Sequence, residues 1–301
     1  MPVYQDTLPR PKENFIKRFI RAFNETDTTY IQPNKYNWAV MLQNTNAFES
    51  YTIKDTRASQ SITFSPKPGI KIGPYLGWRW LFFGYTFDVN SLGKGRKSTK
   101  TEFELSLYSS MLMCDLIYRR TGDDFKLRRL SGFDQNVEQL EGEHFNGVRS
   151  YTAGINAYYI FNHKRFSYPA AYAQSTVQKK SCGTWKAGFS FDLHELNFDY
   201  KELPNNIPIS NDLKFKQTKY WNLSFSAGYG YNWVFKKNCL FNISLTPAIG
   251  YTHNYGHTTL NAAAEANEEL LFKHFNRNNF HINCTGRMGV VWNNTLSLIH
   301  I

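Results

Sequence analysis

Charged side chains recur at every second position in several stretches of this sequence, between large apolar residues. Because a strand sends alternate side chains to opposite faces, these charges would share the face that the apolar residues leave. The nine candidates are Asp88, Glu102, Glu104, Asp115, Lys186, Asp192, His194, His281 and Arg287. Buried charges are usually paired, so the set predicts a mutually paired network in a narrow interior; a charge-lined selective pore is the alternative.

Asp192 and His194 are the one candidate acid–base pair in this set. They lie two positions apart, which places them on one face of a strand. No activated serine or cysteine can be identified beside them. His253 and His257 are four apart, but Gly256 lies between them in an expected loop, so we predict no metal site. We expect no cofactor.

These positions must be held by strands, and the clearest pair of strands runs from Lys219 to Tyr255. Apolar and aromatic residues occupy every second position on either side of a short polar break at Lys236–Asn238. A strict period of two predicts strands, and two such runs across a tight break predict a β-hairpin. Alternating strands of roughly ten residues or more that end in aromatic side chains are typical of membrane-spanning barrels.

Composition is compatible with a barrel. The chain has 301 residues, a mean hydropathy of −0.50 and 17% aromatic residues. No apolar run approaches the roughly 18 residues of a transmembrane helix. We therefore predict an all-β fold, an antiparallel up-and-down transmembrane β-barrel. About ten strands are present, or about twelve in the natural protein if a C-terminal hairpin is missing. A soluble, aromatic-rich β-sandwich that binds glycans is the alternative.

Three segments are expected. Residues 1–34 precede the barrel and contain a short basic amphipathic helix around Phe15–Phe23. Residues 35–295 form the barrel, with a polar stretch that ends at Ser61 and a long polar loop over Ser131–Asn146. Residues 296–301 resemble a translated sequencing adapter and are expected to be non-native. An outer-membrane protein needs a signal peptide, and Met1 is not followed by one, so we expect a missing start.

The net charge and the cysteine content limit the classes of partner and of site that we expect. The formal net charge is +11, which predicts a polyanionic partner. In an outer membrane that partner would be lipid and the phosphates of lipopolysaccharide, and we expect no nucleic acid. Solvated loop charge is an equally simple explanation. The four cysteines are too far apart in sequence for a metal or redox motif, and no disulfide framework is expected.

Several stretches resemble one family of uncharacterised proteins. They are Tyr30–Trp38, Lys71–Trp80, Gly84–Asp88 and Phe166–Tyr172 with the following Gln174-Ser175. They are similar to the outer-membrane barrels of Bacteroidetes grouped as domain-of-unknown-function family 4421, over roughly residues 25–295. The resemblance implies a Gram-negative outer-membrane barrel behind a cleaved signal peptide. It implies no activity and no functional residues.

Three functions stay open at this point. A narrow channel, transport accessory or structural surface protein is the first hypothesis, and ion conductance would favour it. An outer-membrane enzyme acting on lipid or lipopolysaccharide is the second, and activity lost in His194→Ala would favour it. The glycan-binding sandwich is the third, and solubility without detergent would favour it.

Overall fold

The computed structural model describes residues 23, 25–33, 37–45, 50–55, 58–89, 100–122, 125–133, 137–203, 207–210, 213–214, 217–255, 278–294 and 297–300. Within them the chain is built almost entirely of β-strands. The strands are β1 (Ile31–Pro33), β2 (Trp38–Thr45), β3 (Tyr51–Lys54), β4 (Ser61–Pro66), β5 (Lys71–Trp78), β6 (Leu81–Asp88), β7 (Thr101–Tyr108), β8 (Leu112–Thr121), β9 (Phe125–Ser131), β10 (His144–Phe145), β11 (Val148–Ile160), β12 (Thr176–Gln178), β13 (Cys182–Phe198), β14 (Gln217–Lys236), β15 (Cys239–Tyr255), β16 (Asn278–Asn294) and β17 (Ser297–His300). A short α-helix, α1, spans Tyr168–Tyr172, and 3-10 helices span Glu138–Leu140 and Tyr200–Glu202. The expectation of an all-β, antiparallel fold is confirmed.

Eleven strands form one large antiparallel sheet. Their order is β17-β16-β15-β14-β13-β11-β8-β7-β6-β5-β2, so strands that follow one another along the chain are also neighbours in the sheet. The sequence analysis expected about ten strands. Turns join these strands at one end, at 79–80, 109–111 and 237–238, and we call this the tight-turn end. Longer segments join them at the other end, which we call the long-connection end.

The expected hairpin is β14 and β15. The two strands pair from Lys219 opposite Tyr255 to Lys236 opposite Cys239, with a register shift between Val234 and Lys236. Val234, the one apolar residue out of phase in the sequence, lies on the face toward α1, where it packs against Ala170, Ala171, Leu240 and Val291. Asn238 closes the turn at φ 63°, a left-handed conformation that asparagine tolerates better than most residues.

The large sheet is strongly curled. Tyr168 of α1 packs on Tyr108 of β7, with ring centroids 5.7 Å apart. The same tyrosine accepts a hydrogen bond from Arg287 of β16 at 2.5 Å. β7 and β16 are six steps apart in the strand order, which would separate them by about 29 Å in a flat sheet. Residues of both strands contact the side chain of Tyr168 because the sheet bends around α1.

A second sheet covers the long-connection end, and we call it the cap. Its order is β10-β9-β4-β3. Phe64 and Phe198 stack at 5.9 Å in a fully buried core that joins the cap to β13. The expected loop over Ser131–Asn146 is therefore wrong in part, because this segment contains β10, and the polar stretch before Ser61 contains β3. Single buried aromatics such as Phe145 anchor otherwise polar segments, and an average over the segment conceals them.

One expectation falls almost wholly outside this description. The amphipathic helix around Phe15–Phe23 lies outside the described residues except for Phe23 itself, which is helical. Within the described part of the chain, no helix has the length and apolar character to span a bilayer.

Candidate functional site

The inner face of the large sheet, defined as the face that packs against α1, carries the candidate site. Strand register places all nine predicted residues on this face, since each lies opposite another inner-face residue across a strand pair. Asp88, Glu102, Asp115 and Lys186 are buried. Glu104, Asp192, His194, His281 and Arg287 are partly exposed. The inner face therefore buries charged side chains, and the partners of each side chain determine how its charge is balanced.

Glu102 is the centre of the best-paired cluster. Arg119 donates to both of its carboxylate oxygens, each at 3.2 Å. Lys71 donates to the same carboxylate from β5. One carboxylate thus joins three neighbouring strands near the long-connection end, and the two-pronged Arg119 contact fixes its orientation.

Glu104 and Asp115 form a second, more acidic layer, nearer the tight-turn end. Glu104 accepts hydrogen bonds from Gln43 at 3.3 Å and from Ser106 at 3.1 Å. Asp115 accepts a hydrogen bond from Tyr108 and lies beside the hydroxyl group of Ser106. The hydrogen-bond donors to this layer are therefore uncharged, whereas the donors to Glu102 are cations.

Two inner-face cations, Lys186 of β13 and Arg287 of β16, lie on the other side of the curled sheet. Lys186 donates to Ser244 at 3.3 Å and lies 5.4 Å from the ring centre of Tyr158. Arg287 bonds the Tyr168 hydroxyl and lies 6.0 Å from the ring centre of Tyr172. The field of Arg287 also reaches Asp115. Strands β8 and β16 are thus linked electrostatically across the interior.

Asp192 and His194, the candidate acid–base pair, contact different residues. His194 shares a 3.1 Å hydrogen bond with Thr152 and stacks on Tyr220 at 4.6 Å. Asp192 lies opposite Asn222 and Gly154. His281 makes a similar 3.1 Å contact with Thr252. These imidazoles support strand pairing through hydroxyl groups.

The described residues contain no group of three or more histidine, cysteine, aspartate or glutamate side chains that could hold a metal ion. His253 packs on Trp221 with ring centroids 5.5 Å apart. His257, the other half of the His253/His257 spacing, lies outside the described residues. The four cysteines are free thiols in the structure.

α1 and its flanking residues form a plug, which we define as residues 161–181, at the tight-turn end. Ser167 caps the helix by accepting a hydrogen bond from the Ala170 amide at 3.1 Å, and Pro169 occupies the first turn. On one side Tyr168 packs with aromatic residues of β5 to β7. On the other side Ala170 and Ala171 pack with β15 and β16. The plug therefore contacts strands from both halves of the curled sheet.

A buried polar network fixes the plug to β14 and β15. Asn232 donates to the Ser167 carbonyl at 2.9 Å and to Gln178 at 3.1 Å. Asn242 donates to Asn232 at 2.6 Å and accepts from Tyr172 at 2.5 Å. Asn232 and Asn242 are 0% and 1% exposed. Removing one member would leave buried polar atoms without partners, which costs about 1–3 kcal/mol.

The segment before β2 is tied to the outside of the plug. β1 pairs with β12, and the Asp27 amide donates to the Lys164 carbonyl at 2.7 Å. The side-chain hydroxyl of Thr29 donates to the Asp27 carboxylate at 2.6 Å, and this bond lowers the pKa of Asp27. The plug is thus held by contacts with β14 and β15 and by contacts with the segment before β2.

Sequence reasoning missed four residues of this site: Lys71, Arg119, Tyr168 and Tyr172. Lys71 and Arg119 were detectable, because Lys71 lies between Ile70 and Ile72 and Arg119 follows Asp115 by four positions, in phase with it on the same strand. Ser167-Tyr168-Pro169 also carries the capping signal of a helix start. The position of that helix inside the curl depends on contacts between distant strands, which no local pattern reports.

The outer face, opposite to the inner face, is apolar and bordered by two aromatic bands. The tight-turn band consists of Trp38, Trp78, Tyr159, Trp185, Trp233, Phe235 and Trp292, all at least 38% exposed. The long-connection band includes Trp221, Tyr251 and Phe280, with successive ring centroids 5.6 and 5.2 Å apart. Exposed apolar residues such as Phe225 and Leu245 lie between the bands. Soluble monomers rarely expose an apolar surface that extends across a whole sheet.

Comparison with known proteins gives one match. The family model described as Domain of unknown function (DUF4421) matches residues 25–296. No curated protein and no solved structure matches the chain.

Proposed function

The chain belongs to the DUF4421 family, and we propose that it is an outer-membrane β-barrel whose narrow interior is a channel closed by the plug. The single observation that carries this proposal is the inverted distribution of polarity. Buried charges occupy the inner face, and exposed aromatic and aliphatic side chains occupy the outer face. Only a solvent that is itself apolar makes such an arrangement favourable.

The spacing of the aromatic bands supports a bilayer. Trp221 and Trp233 mark the two bands on β14, and twelve residues of strand span about 40 Å. Barrel strands tilt by roughly 35–45°, which reduces that span to about 30 Å along the membrane normal. This agrees with the thickness of about 30 Å of the hydrocarbon core of a bilayer. Barrels of this class have short turns inside and long loops outside, so the plug would lie on the periplasmic side.

Heat-modifiable migration in gels tests the barrel directly. We expect protein refolded in detergent to run faster unboiled than boiled, because a closed barrel resists SDS. Protein that is folded by circular dichroism, soluble without detergent and unshifted on the gel would contradict the proposal. In that case glycan binding would become the better hypothesis.

A charge placed between the aromatic bands gives a quantitative test. Phe225→Lys should destabilise the protein in lipid vesicles by about 2–4 kcal/mol, because the ammonium must enter hydrocarbon. Phe235→Lys, on the same strand but in the tight-turn band, should cost only about 0–1 kcal/mol. Both positions are at least 50% exposed. Urea titrations followed by tryptophan fluorescence measure the difference, and equal effects would argue against a membrane-facing surface.

A further inference from the structure

A serine and a histidine meet on the inner face where β14, β15 and β16 lie side by side. Ser224 of β14 and His281 of β16 both lie opposite Gly250 of the strand between them. A Cβ atom on residue 250 would overlap both Ser224 Oγ and His281 Nε2. The two side chains therefore approach each other over the glycine, which has no side chain to separate them.

A hydrogen-bonded chain behind the histidine ring determines its tautomer. The Thr252 hydroxyl donates its single proton to Asn222 Oδ1 at 2.6 Å. The same hydroxyl oxygen lies 3.1 Å from His281 Nδ1. Because its proton is already committed, the oxygen accepts from the ring, which places the ring proton on Nδ1. His281 Nε2 then carries a lone pair, and this is the nitrogen that lies beside the Ser224 hydroxyl.

We propose that Ser224 and His281 are the nucleophile and the general base of an esterase site on the inner face. A serine beside the unprotonated nitrogen of an imidazole, with the other nitrogen held by a third group, is the arrangement of nucleophilic catalysis. Thr252 and Asn222 are positioning residues, because they hold the ring from behind. The esterase site is independent of the proposed function, since it needs only the folded strands.

The reaction consumes one ester and one water molecule. His281 Nε2 takes the Ser224 proton while Oγ bonds to the carbonyl carbon of the ester. The tetrahedral intermediate then expels the alcohol, which takes the proton from the imidazolium. Water attacks the acyl-serine with His281 again as the base, and the carboxylic acid leaves as Ser224 recovers its proton.

The surroundings of Ser224 favour a small, uncharged ester. Ser224 itself is 5% exposed, but Ser190, Asn222 and Ser226 around it are short and partly exposed, so solvent reaches this part of the inner face. Ser190 lies opposite Ser224 and offers a hydroxyl donor to the oxyanion of the intermediate. Asp192 lies opposite Asn222 and would repel an anionic substrate.

A fluorophosphonate probe, which bonds covalently to activated serine hydroxyls, tests the site on the full-length refolded protein. We expect peptide mass spectrometry to locate the label on Ser224, and we expect turnover of p-nitrophenyl acetate. His281→Gln should slow both reactions by about 10²–10⁴-fold, because the general base is lost. Ser226→Ala, two residues away on the same strand and face, should leave both rates unchanged. Thermal unfolding followed by circular dichroism verifies that each variant is folded.

The positioning role of Thr252 has its own test. Thr252→Val removes the acceptor of the Nδ1 proton and should slow turnover by about tenfold, the equivalent of one neutral hydrogen bond. Thr252→Ser keeps the hydroxyl and should restore the rate, whereas a rate no faster than that of Thr252→Val would refute the positioning role. A folded parent protein without label on Ser224, or labelling that persists in His281→Gln, overturns the esterase site. A failed barrel test would leave the labelling valid, because it needs only folded protein.

Discussion

Replacing Ser167–Ala173 by a glycine–serine linker of equal length should open the proposed barrel to ions. The parent protein should show little conductance in planar bilayers, because α1 fills the space between β7 and β16. Without the side chains of Tyr168 and Tyr172, conductance should rise on the order of tenfold to a hundredfold. The remaining inner face would then be a polar wall of charged and hydroxyl side chains, as an aqueous pore requires.

A point substitution separates opening from misfolding. Asn232→Ala removes the hydrogen bonds to Ser167 and Gln178 but leaves the outer face intact. We expect brief openings of the same size as the steady openings of the linker variant, because the plug is loosened and not removed. Ser226→Ala, on the same strand and face, removes a single side-chain hydrogen bond among the described residues, the one to the Gly188 carbonyl at 3.4 Å, and serves as the control. Parent-like closure in the linker variant, despite heat-modifiable migration, would refute a gating role.

The strands of the large sheet can be predicted from the sequence because each strand has its own alternation of apolar and polar residues. Alternation in β14 and β15 specifies strand, face and partner together, since a slip of one residue would invert both faces. The same alternation identifies the inner charges, including Lys71 and Arg119 once the phase is followed. Prediction is good where the information is local and repeated.

The plug and the cap could not be predicted for a physical reason. α1 is five residues long, too short to be stable alone, and depends on Tyr108, Asn242 and Arg287 from distant strands. The cap core likewise joins Phe64, Phe145 and Phe198, which lie far apart in sequence. A few buried aromatics define each structure, and only the fold of the large sheet brings them together.

Glu102→Gln should destabilise the protein by about 3–5 kcal/mol, since removing one member of a buried ionic cluster leaves uncompensated charge. Lys71 would remain buried, and Arg119 would lose its two-pronged partner. Glutamine keeps the shape of glutamate, so the loss reports charge and not packing. Urea unfolding in vesicles, followed by tryptophan fluorescence, gives the free energy.

Glu104→Gln is the matched control, two residues away on the same strand and face. Its partners, Gln43 and Ser106, are neutral, and Asp115 lies close enough to repel it. Removing this charge should cost less than about 1 kcal/mol or stabilise the protein, because repulsion is relieved. Lys71→Met added to Glu102→Gln should restore part of the lost stability, since it removes one stranded cation. Equal losses at Glu102 and Glu104 would mean that the inner face stabilises the fold by packing alone, and that its charges could be rearranged freely to line a pore.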